Sequence, residues 1–105
     1  MVSCGLGTSV TGGGNGDKAT SLPNGTAIAC TWDVELAEEI YELLSVELTT
    51  HSIDSILGPG INIHRVPLNG RNFEYFSEDP YITGKFAAAM IRGVALGKIL
   101  NGNKV

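Results

Sequence analysis

Four apolar clusters, separated by polar or glycine-rich stretches, organise this chain. Residues 27–30 form a short apolar run that predicts a buried strand. A helix is predicted next: Asp33 suits the N-cap, Glu35 suits the positive helix start, and Leu36, Ala37, Ile40, Tyr41, Leu44 and Leu48 repeat at helical spacing. Glu38, Glu39 and Glu42 fall on other faces, and Thr49-Thr50-His51-Ser52 ends the pattern. Residues 53–57 read as a second strand, stopped by Gly58-Pro59. After a long polar and aromatic loop, Asp79-Pro80 predicts another helix start, with aspartate as cap and proline in the first turn. The stripe of that helix is Phe86, Ala87, Met90, Ile91 and Val94. Gly93 lies inside it at a cost of roughly 1 kcal/mol relative to alanine, which points to close packing against a neighbour or to a weak helix end.

The order is strand, helix, strand, long loop, helix, which predicts an α/β chain built of parallel βα units. A complete (β/α)₈ barrel needs about 250 residues, so the expected architecture is a partial (β/α) barrel of roughly two to three units. Such strands leave open edges, and the chain alone is expected to be marginal in stability. Residues 1–18 carry GLGTSVTGGGNGDK, with no apolar periodicity, and read as a flexible glycine-rich lead-in. That leaves 19–105 as the structured part.

Composition narrows the function classes. Of the 105 residues, 43% are hydrophobic and 17% charged, as in a soluble globular chain. A net charge of -4 argues against nucleic acid or an anionic membrane as partner, since both favour a basic face. Two cysteines, Cys4 and Cys30, are too few for a disulfide scaffold or a zinc site, and read as free thiols in a reducing compartment. Asn24-Gly25-Thr26 is a glycosylation sequon that matters only in a eukaryotic secretory pathway. The start, MVSCGLGTSV, has no basic region and no long apolar core, so a cytoplasmic location is expected rather than a secreted one. No metal and no cofactor is expected. The glycine-rich start lacks the GxxxxGK[ST] spelling of a phosphate loop.

Residues 58–77 make a connection well beyond the usual length of about 2–6 residues, and such length signals function, unrecognised secondary structure or disorder. Phe73, Tyr75 and Phe76 argue against disorder. Asn69-Gly70 is a turn signal that sets Arg71 on a corner. A guanidinium can fork onto two vicinal hydroxyls or a carboxylate, as an ammonium cannot. The competing reading makes Arg71 structural, paired with Glu74, Glu78 or Asp79. Two carboxylates about 5–10 Å apart perform glycoside hydrolysis. Glu74 with Glu78, or Glu78 with Asp79, could be considered, but neighbouring residues point apart and a helix cap explains Asp79 better. His64 in the loop reads first as a hydrogen-bonded structural residue. No nucleophile motif such as GxSxG occurs.

Two stretches, SLPNGTAIACTWDVELAEEIYELLSVEL and ILGPGINIHRVPLNGRNFEYFSEDPYITGKFAAAMIRG, together resemble glycoside hydrolase family 3, in the N-terminal barrel domain of the β-glucosidases. The resemblance spans 19–93, and GRNFEYFSEDP is its most specific segment. It implies a retaining two-step mechanism on β-glucosides, with an aspartate nucleophile and a glutamate acid/base. Arg71 matches the family arginine that hydrogen-bonds sugar hydroxyls, and Glu74 is implied as its support. His64 and Asn62 lie in the matching segment without a matching reacting role. The family's Asp-Gly-Pro, Lys-His and Ser-Asp elements do not occur in these residues. The expectation is therefore a fragment of a β-glucosidase with no catalytic residue of its own, which does not hydrolyse glycosides unaided. The rest of the barrel is its expected partner. A small interaction module reusing one barrel segment is the alternative, and a nucleotide-binding role for the glycine-rich start is a third reading.

Overall fold

The computed structural model describes residues 20–53 and 55–100, with the backbone of Val2–Ser3; the predicted lead-in otherwise lies outside the described residues, as does Cys4. Within these bounds the fold is mixed but mainly helical. Helix α1 spans Gly25–Ala29, α2 spans Val34–Thr50 and α3 spans Pro80–Leu100. Strand β1, Val2–Ser3, pairs in parallel with β2, Ile56–Leu57, with Val2 opposite Ile56 and Ser3 opposite Leu57.

The run 27–30, expected as a strand, is helical instead. Asn24 precedes it in extended backbone and its side-chain oxygen accepts from the Ala27 amide at 2.9 Å, starting a helical turn before any strand partner is met. That turn buries Ile28 and Ala29 in the main core. A short apolar run does not distinguish strand from helix by its pattern, and here the cap decides.

Helix α2 follows its expected start: the Asp33 carboxylate accepts from the Leu36 amide at 2.9 Å. Its end is closed by a Schellman arrangement. Ser52 adopts a positive φ of 55°, its amide bonds the Thr49 carbonyl at 3.1 Å, and the Ile53 amide bonds the Leu48 carbonyl at 2.8 Å. Ile53 and Leu48 then pack together as a small buried cluster. Ile53, expected to open a strand, thus closes a helix, and among the described residues of this segment the paired strand is Ile56–Leu57.

Helix α3 starts where Asp79-Pro80 predicts, with the Asp79 carboxylate accepting from the Tyr81 amide at 2.7 Å. Phe86, Ala87, Ala89 and Met90 are buried against Ala37 and Tyr41 of α2, while Ile91, expected in the stripe, is exposed. Phe76, at the end of the long loop, meets Phe86 with ring centroids 5.9 Å apart and joins the loop to this core. Each fully buried side chain of this size contributes about 1.5–3 kcal/mol.

Helices α2 and α3 touch almost backbone to backbone. A Cβ on Gly93 would lie 2.4 Å from the Glu38 carbonyl oxygen, and one on Gly97 would lie 2.6 Å from Ser45 Cβ. The expected choice between close packing and a helix end at Gly93 therefore resolves to packing, since α3 continues to Leu100. Arg92 donates to Glu38 across the same seam at 2.8 Å. Among the described residues no helix is long and apolar enough to cross a membrane.

Gly93→Ala tests this seam because two effects oppose each other. Helix propensity alone gains about 1 kcal/mol. Overpacking against a main-chain oxygen 2.4 Å away, which cannot rotate aside, falls at the upper end of such costs, about 2–3 kcal/mol. We expect a net loss of about 1–2 kcal/mol in urea unfolding. A variant as stable as the parent would contradict the close seam.

Candidate functional site

The connection from β2 to α3 is not structureless. It leaves Leu57 through a cis Gly58-Pro59 bond and later turns at residues 69–72, where the Asn72 amide bonds the Asn69 carbonyl at 3.2 Å. Gly70 and Arg71 are the central residues of that turn, as Asn69-Gly70 predicts. Arg71 has φ -106° and ψ 9°, the values of the third position of a type I turn. Its amide also bonds the Asn69 side chain at 3.3 Å. A single 3₁₀ turn, Asn72–Glu74, follows directly.

The side chain of Arg71 is fixed at one end. Its Nε donates to Glu74 Oε1. The pair is asymmetric: the arginine side chain is 69% exposed and that of Glu74 only 9%. The hydrogen bond from Arg71 to Glu74, then the charge of Glu74 and a smaller contribution from Tyr75, raise the guanidinium pKa above its ordinary value. A raised cationic pKa means that the guanidinium keeps its charge until pH rises past that elevated value, so Arg71 is charged throughout the working range of proteins.

Arg71, Glu74 and Tyr75 line an open cleft of about 350 Å³ together with the segment 57–62. The structure thus brings Arg71, Glu74 and Asn62 together. It does not bring Glu78 or Asp79 into this cleft: both are exposed, and Asp79 caps α3. Of the three acids proposed as partners for Arg71, Glu74 is the one that binds it. His64 faces away into hydrogen bonding with the turn, its Nε2 lying 2.8 Å from the Asn72 carbonyl oxygen. Cys30 is a free, exposed thiol.

Several contributors were not visible in the sequence pattern. Thr26 Oγ1 lies 2.8 Å from the Tyr75 carbonyl, with the Asn72 and Phe73 carbonyls at 3.1 and 3.3 Å. Gly25 and Gly60 both press on the Glu74 carbonyl, where a Cβ on either would approach its oxygen to 2.8 Å. The Gly-Pro-Gly spelling of 58–60 and the Asn-Gly-Thr spelling of 24–26 were the available signals, though neither announces which carbonyl it meets. Among the described residues no cluster of three His, Cys, Asp or Glu side chains could hold a metal ion.

The family model of the glycosyl hydrolase family 3 N-terminal domain matches residues 6–104. A β-glucosidase of Ruminococcus albus is 57% identical over 79 residues, covering 75% of this chain and 8% of the relative. Thermostable β-glucosidase B of Acetivibrio thermocellus is 49% identical over 80 residues, covering 76% of this chain and 11% of the relative. Among solved structures, a β-glucosidase from Paenibacillus barengoltzii superposes with a TM-score of 0.74 at 64% identity, covering 76% of this chain and 9% of that one. β-Glucosidase 3B from Thermotoga neapolitana in complex with glucose gives a TM-score of 0.76 at 35% identity, covering 91% of this chain and 14% of that one. The chain therefore spans about a tenth of the length of these relatives.

The asymmetric pair generates a stability prediction. Arg71→Ala abandons a buried carboxylate, whereas Glu74→Gln leaves an arginine that already stands in water. Urea unfolding is expected to register a larger loss for Arg71→Ala than for Glu74→Gln. The reverse order would mean that Glu74 is held by its packing and not by the guanidinium.

Proposed function

The chain belongs to glycosyl hydrolase family 3 through its N-terminal domain, and from that premise we propose that the Arg71 turn is the sugar-holding element of a β-glucosidase-type barrel. One observation carries this reading: a largely exposed guanidinium on the rim of a cleft, held at Nε by a buried carboxylate. Fixing Nε leaves the outer amino groups of the fork for vicinal hydroxyls, which suits a β-glucoside or related sugar. The role is positioning by hydrogen bonds, with no proton transferred by Arg71. Glu74 supports it and takes no part in bond cleavage.

We further propose that the 105-residue chain does not hydrolyse glycosides by itself. A retaining mechanism needs two carboxyl groups about 5–5.5 Å apart flanking the scissile bond. Glu74 is committed to Arg71, and the nearby Glu78 and Asp79 do not line the cleft. The reacting carboxylates belong to later segments of such an enzyme, the acid/base often to a domain that follows the barrel, and this chain supplies about two to three βα units of that barrel. The parallel β1–β2 pairing supports that architecture. Large apolar side chains left in water, Trp32, Leu57 and Leu68 among them, support the rest of such a barrel as the chain's partner.

Two assays test these readings. Purified chain on an aryl β-glucoside is expected to give only background turnover; hydrolysis abolished by Arg71→Ala would overturn the proposal of inactivity. For the sugar-holding role, the matching segment of the Paenibacillus barengoltzii enzyme is replaced by this chain's residues. In that graft, Arg71→Ala is expected to lower kcat/KM by about tenfold to a hundredfold, the value of a charged hydrogen bond to substrate. Undiminished efficiency would contradict the assignment.

A further inference from the structure

We propose that Thr26 and His64 are positioning residues that grip the carbonyls of the 72–75 turn and so set the angle at which Arg71 meets the sugar. The proposal rests on the sugar-holding reading of Arg71, but its structural half can be tested without any sugar.

The argument begins with the geometry of a 3₁₀ turn. Such a turn is short and poorly hydrogen-bonded, so its carbonyls need partners from outside. Here the Asn72, Phe73 and Tyr75 carbonyls converge on one hydroxyl, that of Thr26 in the first turn of α1. A hydroxyl carries one hydrogen, and the shortest approach, 2.8 Å, identifies the Tyr75 carbonyl as its main acceptor. The Asn72 carbonyl, which also accepts from the Tyr75 amide within the turn at 3.1 Å, is approached by a further side chain, His64 Nε2 at 2.8 Å. Because a carbonyl only accepts, Nε2 must carry the hydrogen, which defines the tautomer of a neutral ring.

Both grips lie one to four residues from Arg71, on the backbone that carries its Glu74 anchor. His64 is itself held: its amide bonds the Ser77 carbonyl at 3.2 Å and its ring sits 6.2 Å from that of Tyr75. Thr26 is held by α1, whose Gly25 packs on the Glu74 carbonyl. Side chains from two segments distant from each other in sequence therefore hold the turn, while Glu74 fixes the arginine within it. A rotation of the turn by even a few degrees would swing the guanidinium at the end of its long stem, and misplacement of about 1 Å is worth roughly a hundredfold in rate.

The first test uses the 105-residue chain and ¹⁵N NMR. The Arg71 Nε–H signal is expected to be protected from exchange in the parent, to lose that protection in Thr26→Val and to regain it in Thr26→Ser. The backbone amide of Ala89, buried inside α3, should stay protected in all three as a control for global unfolding. An Arg71 signal indifferent to Thr26→Val overturns the proposal. The second test uses the grafted enzyme and a double-mutant cycle. Thr26→Val and His64→Phe should each lower kcat/KM about tenfold, with Thr26→Ser near the parent, and neither should cost anything further once Arg71 is alanine. Equal losses with and without Arg71 would mean that Thr26 and His64 act on the fold and not on Arg71, which overturns the proposal. If Arg71→Ala alone changes nothing, it is the sugar-holding reading that falls, and the NMR result still decides the grip.

Discussion

One carbonyl group, that of Glu74, constrains the whole site. Gly25 from α1 and Gly60 from the segment after β2 both approach it so closely that a Cβ on either would come within 2.8 Å of its oxygen. No side chain can move aside to relieve that contact, because the obstacle is main chain. The turn that carries Arg71 is therefore wedged between two elements distant in sequence. Its position follows from where α1 and the 58–60 segment sit, and these in turn depend on the core. Ile28 and Ala29 anchor α1 among the side chains of α2 and α3, and Phe76 ties the end of the loop to Phe86.

The scaffold beneath rests on a similar principle. Gly93 and Gly97 let α3 approach the α2 backbone at the Glu38 and Glu42 carbonyls. Close approach gains dispersion contacts along the whole seam, and the tolerance for added volume is correspondingly small. A close-packed helix pair and a wedged turn fit the sugar-holding role proposed for Arg71. The acids nearby divide into separate duties: Glu74 orients Arg71 and Asp79 caps α3. Neither duty requires a titrating group.

Much of this was legible in the sequence, and what was not had a physical reason. The long helices, their caps at Asp33 and Asp79, and the corner at Asn69-Gly70 all follow from local rules, since the deciding partners lie within four residues. The family resemblance rested on GRNFEYFSEDP, and the match over residues 6–104 extends to either side of the 19–93 span first recognised. The run 27–30 suits a strand by pattern because four apolar residues carry no periodicity, and the Asn24 cap outweighs that pattern. Ile53 suits a strand by sequence because the Schellman closure depends on a positive φ at Ser52, a residue that seldom signals one. For Arg71 the sequence left three acids open as partners, and only packing singles out Glu74. Thr26 and His64 were invisible as grips because their acceptors are main-chain carbonyls 49 and 8 residues away, and carbonyls have no identity in a sequence.

The central claim is that Arg71 holds a sugar while Glu74 holds Arg71. A crystal structure of the grafted enzyme with glucose tests it most directly. The account predicts outer guanidinium nitrogens within about 2.7–3.2 Å of sugar hydroxyls, with Nε still on the Glu74 carboxylate. Glucose bound in the cleft with Arg71 turned to solvent, or with its fork wholly engaged by Glu74, would contradict it.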